Sequence, residues 1–370
     1  MTNSLKYPKS GSNSSPPLLQ NYGELLQQLH KVPDTDNAQA HNDHGIAVPP
    51  VLAPAECQLP LIDLSPYTRG SNRSLILEGE ELERQACAAN ICRASSQWGF
   101  FQVVNHGINH ELLWRMRREQ ARLFEAPFET KANSGLLNNS YRWGTPSATC
   151  PAQFSWSEAF HIPLTKISDA ACYGDYISLR EVMMELAAAM SKLARMLVGI
   201  LAERMGHQKG AFDSMCEEST CFLRLNRYPA CPVLSHDTFG LVPHTDSNFL
   251  TILSQDQVGG LHLLKDSQWV AVKPNQEALI VNIGDLLQAW SNDVYKSVEH
   301  KVMTNEKMER YSIAYFLCPS YESLIGNCRE PSVYRKFTFG EYRHQVQEDV
   351  KSTGRKVGLP HFRLQQTLAS

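Results

Sequence analysis

The chain reads as an α+β protein, with a helical and mixed front half leading into an all-β core. Three observations predict this. Residues 175–205 repeat Leu179, Met183, Leu186, Met190, Leu193, Leu197 and Leu201, the spacing of one face of a long helix. After residue 219 the texture changes to short β-rich runs separated by turn residues: CFLRLNRY, FLTILS, GLHLLK, QWVAVK, ALIVNI, KSVEHKVM and RYSIAYFL. No helix alternates with those runs, so the core is a sandwich, jelly roll or barrel and not a parallel βαβ sheet.

Taken in order, residues 1–58 are rich in Ser, Asn, Pro and Gln and are expected to form a leader of low order. Order is expected to begin at LPLIDLS, 59–65. The spacing predicts a helix over 80–97 with Leu82, Ala86, Ala89 and Ala94 on one face, then a buried strand at GFFQVVN, 99–105. A second helix is expected over 109–125, aligned on Leu112, Met116 and Leu123 and stopped by Pro127. The long helix ends near Gly206, a residue suited to a helix stop. The tail from about 338, TFGEYRHQVQEDV, reads as helical again. This divides the chain into a leader (1–58), a front region (59–215), a β-core (216–325) and a helical tail (326–370).

Composition narrows the function classes. Lys and Arg number 35 against 38 acidic residues, a formal net charge of −3, which gives no electrostatic reason to expect nucleic acid or an anionic membrane surface. No run approaches eighteen uninterrupted apolar residues, as a membrane span would need. The first residues lack the apolar stretch of a secretory signal. The ten cysteines include no CxxC pair and read as reduced thiols, so the expected compartment is the cytoplasm, with the nucleus as a further one. The chain has no GxGxxG after a strand, no GxxxxGK[ST], no GxSxG and no HExxH, the usual signs of dinucleotide, phosphate, serine-hydrolase and zincin chemistry.

The candidate chemistry lies in GLVPHTDSNFLTIL, where His244 and Asp246 stand two apart. In extended backbone, positions i and i+2 share a face, so imidazole and carboxylate can converge on one ion. Such a pair alone is a weak sign, and a second one, His41 with Asp43, falls in the leader with no strand context. His300 in SVEHKVM can add a third ligand, sharing a face with Val298 and Val302. In RYSIAYF, Arg310 and Ser312 share a face that Ala314 and Phe316 continue, and Arg224, Asn226 and Tyr228 do the same in CFLRLNRYP. A guanidinium beside a hydroxyl inside a β-core is a fork for a carboxylate. Two imidazoles and one carboxylate suit non-haem Fe(II), with open positions for a chelating oxo-acid and dioxygen. A buried hydrogen-bonded cluster would use the same three side chains. Lone histidines such as His161 and His262 are expected to be structural.

These residues, with WGFFQVVNHGI (98–108), LFEAPFETK (123–131), NRYPACP (226–232), HTDSNFLTIL (244–253), VNIGDLLQAWSND and SVEHKVMTNEKMERYSIAYF, resemble the plant-type 2-oxoglutarate- and Fe(II)-dependent dioxygenases from 59 to about 345. The resemblance implies a double-stranded β-helix (jelly-roll) core flanked by helices. It implies Fe(II) held by His244, Asp246 and His300, which are then the catalytic centre, and 2-oxoglutarate held by Arg310 and Ser312 with Asn226 and Tyr228. Ascorbate would be supportive.

YRWGTPSAT (141–149) and SWSEAFHIPL (155–164) are most similar to gibberellin 2-oxidases acting on twenty-carbon gibberellins. That implies 2β-hydroxylation of a diterpenoid acid with O2 as co-substrate. Tyr141, Arg142, Trp143, Trp156 and Phe316 are then the expected substrate contacts, the alternative for the aromatics of these two segments being that they seal the front helices onto the β-core. A gibberellin 20- or 3-oxidase, or a flavonoid or alkaloid dioxygenase, would share the same iron chemistry, whereas a silent β-core binding protein would lack it.

Overall fold

The period-two runs of the second half assemble into two sheets facing one another, and everything that positions the site follows from which face each side chain takes. The computed structural model describes residues 14–23, 55–69, 78–145, 148, 150, 153–208, 210–232, 238–326 and 328–364. Fifteen strands can be numbered among them: β1 Glu56–Cys57, β2 Leu61–Asp63, β3 Phe100–Val104, β4 Tyr141–Trp143, β5 Glu158–Pro163, β6 Phe222–Tyr228, β7 Phe239–His244, β8 Leu250–Gln255, β9 Leu261–Lys265, β10 Gln268–Val272, β11 Leu279–Ile283, β12 His300–Met303, β13 Arg310–Leu317, β14 Leu324–Ile325 and β15 Phe337–Thr338. The large sheet runs β2-β3-β11-β8-β13-β6-β5-β4 and the small one β1-β10-β9-β12-β7. Together they form the expected jelly roll, flanked by helices.

Alternation along β11 shows how the layers are specified. Leu279, Val281 and Ile283 join the main core, while Ile280 joins a smaller cluster with Phe100, Tyr228, Leu261 and Val302, between the sheets. A strand buried on both faces needs apolar residues on both, hence Leu279, Ile280, Val281 and Ile283 around the single polar Asn282. The main core fills the outer face of the large sheet, under helices α1 (Glu78–Gln97), α2 (His110–Phe124) and α3 (Ile177–Arg204). All seven residues of the predicted α3 stripe are buried, each contributing about 1.5–3 kcal/mol relative to exposure. The tail helix α4 (Phe339–Thr353) starts on a capping box between Thr338 and Glu341 and ends at Gly354, whose φ of 74° is left-handed.

Two expectations need correction. Of the expected face only Ala94 is buried; Leu82 is 66% exposed, Ala86 is exposed and Ala89 half-buried, and α1 buries Cys87, Ala88, Ile91 and Ser95 beside Ala94. The helix contacts the sheet through its later turns, and its acidic first turn points to water. Residues 14–23, expected in a leader of low order, are packed. A helical turn at 18–23 buries Leu18 and Tyr22 against Phe154 and Trp156, and the Ser14 carbonyl accepts from the Lys131 ammonium at 2.6 Å. One short turn carries too few residues to show a period, so its apolar pair went unread. Gly144, at φ 56°, lies against the Tyr22 hydroxyl, where any side chain would collide. Glu56–Cys57 pairs with β10. Residues 1–13 and 24–54, including His41 and Asp43, lie outside the described residues.

Candidate active site

β7 ends in His244 and β12 begins with His300, and the two are directly paired across the small sheet. Their rings stand 4.3 Å apart, centroid to centroid. Asp246, in the loop leaving β7, places Oδ1 3.7 Å from the Nε2 of each histidine, too far for a hydrogen bond. The ligand atoms of all three lie within 4.8 Å of one another.

Each member is aimed by a neighbour. Nδ1 of His244 lies 2.8 Å from the Val242 carbonyl and Nδ1 of His300 lies 3.1 Å from that of Val298. A carbonyl only accepts, so Nδ1 carries the proton and each Nε2 lone pair faces the centre. Asp246 Oδ2 accepts from Thr251 Oγ1 at 2.6 Å and Asn282 Nδ2 at 2.7 Å, leaving Oδ1 toward the histidines. Phe100 meets the His300 ring edge-on at 5.1 Å. Burial, then His300, push the His244 imidazole down to about 3. Burial would raise the Asp246 carboxyl, but His300, His244 and the hydrogen bonds from Thr251 and Asn282 outweigh it and hold it below the usual range. Two lone pairs and one negative charge, converging without bonding one another, are the donor set of a divalent cation.

The co-substrate end follows from register. On β13 and β6, Arg310 pairs with Tyr228 and Ser312 with Asn226, while β8 sets Gln255 opposite Ser312. Arg310 is 2% exposed, donates Nη2 to Gln255 Oε1 at 2.8 Å and Nη1 to Ser312 Oγ at 3.3 Å, and lies over the Tyr228 ring at 5.0 Å. Its Nε has no partner, and among the described residues no carboxylate pairs with it. A buried guanidinium left this way suits an incoming carboxylate. From α2, Gln120 donates to the Asn226 and Ser312 carbonyls at 3.1 and 2.9 Å, clamping the two strands together.

One cavity of about 310 Å³ collects these residues, and its walls include His244, Asp246, His300, Arg310, Ser312, Asn226, Tyr228 and Phe316. Four expected substrate contacts are absent from that wall. Tyr141 is buried on the outer face of the sheet with its hydroxyl on Glu158; Trp143 packs edge-on against Phe128. Arg142, on the opposite face of β4, bonds the Asn139 and Tyr141 carbonyls. Trp156 packs with Leu18, Tyr22 and Phe154. Strand parity on β4 turns Tyr141 and Trp143 to the outer face, while Trp156 lies ahead of β5, outside any strand. Conversely, the cavity is lined by His161, expected to be structural, and by Thr251, Asn282 and Lys356. Asn282 had a readable signal, being the one polar residue in an otherwise apolar run. Lys356 had none, because it reaches the site from beyond α4, donating to the Thr245 carbonyl at 2.9 Å and pairing with Asp285 at 2.6 Å.

Comparison with known proteins agrees with this geometry. Residues 219–319 match the 2OG-Fe(II) oxygenase superfamily, and 59–175 match the N-terminal region described as non-haem dioxygenase in morphine synthesis. Gibberellin 2-beta-dioxygenase 6 of Oryza sativa subsp. japonica is 59% identical over 334 residues, 86% of this chain and 90% of its own. Gibberellin 2-beta-dioxygenase 8 of Arabidopsis thaliana is 51% identical over 348 residues, 94% and 98%. The crystal structure of JOX2 in complex with 2OG, Fe and JA superposes with a TM-score of 0.65 at 30% identity, covering 91% of this chain and 95% of that one. The similarity spans both halves of the chain, and the protein belongs to the 2OG-Fe(II) oxygenase superfamily.

Proposed function

We propose that the chain is a gibberellin 2-beta-dioxygenase, hydroxylating a gibberellin at C2 while 2-oxoglutarate is decarboxylated. The observation that carries this reading is the convergence of His244, Asp246 and His300 beside the unpaired Arg310 fork, in a chain whose relatives at 59% and 51% identity bear that name. His244, Asp246 and His300 would hold ferrous iron. Bound there, the iron would supply dioxygen activation, with 2-oxoglutarate as the reductant that leaves as succinate and carbon dioxide.

The chain's own part is placement. Arg310 and Ser312 take the distal carboxylate of the co-substrate, with Tyr228 under the guanidinium and Asn226 donating to Ser312 Oγ at 3.4 Å. The apolar walls Phe100, Leu241, Leu253, Leu261 and Val302 keep water from the reacting C–H bond. Thr251 and Asn282 keep Asp246 ionised and oriented. Among the described residues no helix is long and apolar enough to cross a membrane. None of the ten cysteines is in a disulfide, which supports a reducing compartment, the cytoplasm.

The test is incubation with a panel of gibberellins, Fe(II), 2-oxoglutarate and ascorbate, with product identification by mass spectrometry. A 2β-hydroxylated product matched by succinate is expected. Oxidation at C3 or C20, or no gibberellin-dependent succinate, would contradict the reading.

A further inference from the structure

Beyond the metal-side cavity lies a second chamber of about 240 Å³, roofed by Phe339, Arg343, Val346 and Gln347 of α4. The two share His161, Phe222, Ser247 and Phe316 as lining. Three of these form a continuous stack across adjacent strands. His161 on β5 lies against Phe222 on β6, at 4.0 Å and 29°, and Phe222 against Phe316 on β13, at 4.3 Å and 13°. The result is a flat apolar platform leading from one space into the other.

Positive charge surrounds the platform. Arg224 donates Nε to Asn226 Oδ1 at 2.9 Å. Arg343 donates Nη1 to the Tyr321 hydroxyl at 2.6 Å and lies over the Tyr321 and Phe339 rings at 5.4 and 5.9 Å. Neither is paired with a carboxylate among the described residues. Burial, then Arg224, Arg343 and Arg142, push the His161 imidazole down to about 4, so it stays neutral among cations at physiological pH. A concave apolar surface with an unbalanced positive field attracts an anion, and a guanidinium is the group best shaped for a carboxylate.

Size points the same way. Sites for drug-sized ligands run to roughly 300–1,000 Å³. The first cavity, at 310 Å³, lies at the bottom of that range before a metal and a five-carbon diacid are placed in it. A bulky substrate therefore needs the second chamber.

We propose that this chamber binds an acid end of the substrate, a rigid apolar carboxylic acid, with its body on the His161–Phe222–Phe316 platform and one carboxylate on Arg343. The identity of that acid as a gibberellin rests on the reading above.

The experiment is anaerobic calorimetric titration of the full chain, with Fe(II) and 2-oxoglutarate present, using a twenty-carbon gibberellin and its methyl ester. Wild type is expected to bind the acid about 10- to 100-fold more tightly than the ester, the range for a lost charged hydrogen bond. Arg343→Met should erase that preference by weakening acid binding alone, and Arg343→Lys should keep part of it. Equal acid-to-ester ratios in wild type and Arg343→Met would overturn the inference while leaving C2 hydroxylation, read by product analysis, intact. An Arg343-dependent preference without C2 hydroxylation would uphold the site and overturn the activity. No gibberellin binding to wild type would overturn both.

Discussion

Two buried cations occupy opposite faces of the large sheet, and the protein treats them differently. On the outer face Lys131, with no exposed side-chain surface, donates to Glu158 at 2.7 Å, to the Phe124 carbonyl at 2.8 Å and to the Ser14 carbonyl at 2.6 Å. Glu158 also accepts from Arg227 at 2.7 Å. All three ammonium hydrogens and both carboxylate oxygens are used. On the cavity face Arg310 has a neutral amide, a hydroxyl and an unpaired Nε. A structural charge brings its counter-ion with it, while a binding charge is left to meet one that arrives. His106 shows a third solution: burial, then the charge of His110, push its imidazole down to about 4, and it gives up the charge.

The contrast is broken or sharpened by substitution. Lys131→Met should have the largest effect, costing about 3–5 kcal/mol of stability because Glu158 loses a buried partner; denaturant unfolding measures it, and co-substrate affinity should not change. Arg310→Ala should do the reverse. Its affinity for 2-oxoglutarate should fall by about 2–5 kcal/mol, read by calorimetry, with little change in melting temperature. If both variants lose stability equally, Arg310 is a structural cation too. Asn282→Ala should lower iron affinity about 10- to 100-fold by releasing Asp246 Oδ2, as measured by equilibrium dialysis.

The smallest effect concerns pH. With its folded value depressed from 6.5, His106 stabilises the fold above about pH 6.5, and that stability is lost as pH falls toward 4, because the unfolded state binds the proton more readily. Melting temperature should decline over that window, and His106→Asn should flatten the decline.

What was legible in the sequence follows strand parity. Once β13 is read as extended, Arg310, Ser312, Ala314 and Phe316 must share a face, and the structure lines the cavity with all four. β6 brings Arg224, Asn226 and Tyr228 by the same rule. Parity also explains the errors. In the three-residue β4, Tyr141 and Trp143 take one face and Arg142 the other, and nothing in so short a strand says which face is inward; a one-residue change of register exchanges them. Arg343 and Lys356 were beyond this kind of reading. They arrive from α4 and the segment after it, about a hundred residues from His244, brought there by packing that no local period encodes.

The most direct test of the central claim is anaerobic Fe(II) binding to wild type and Asp246→Ala, with circular dichroism confirming that both are folded. One tightly bound equivalent is expected in wild type and none in the variant. Undiminished iron binding by folded Asp246→Ala would show that the ion sits elsewhere.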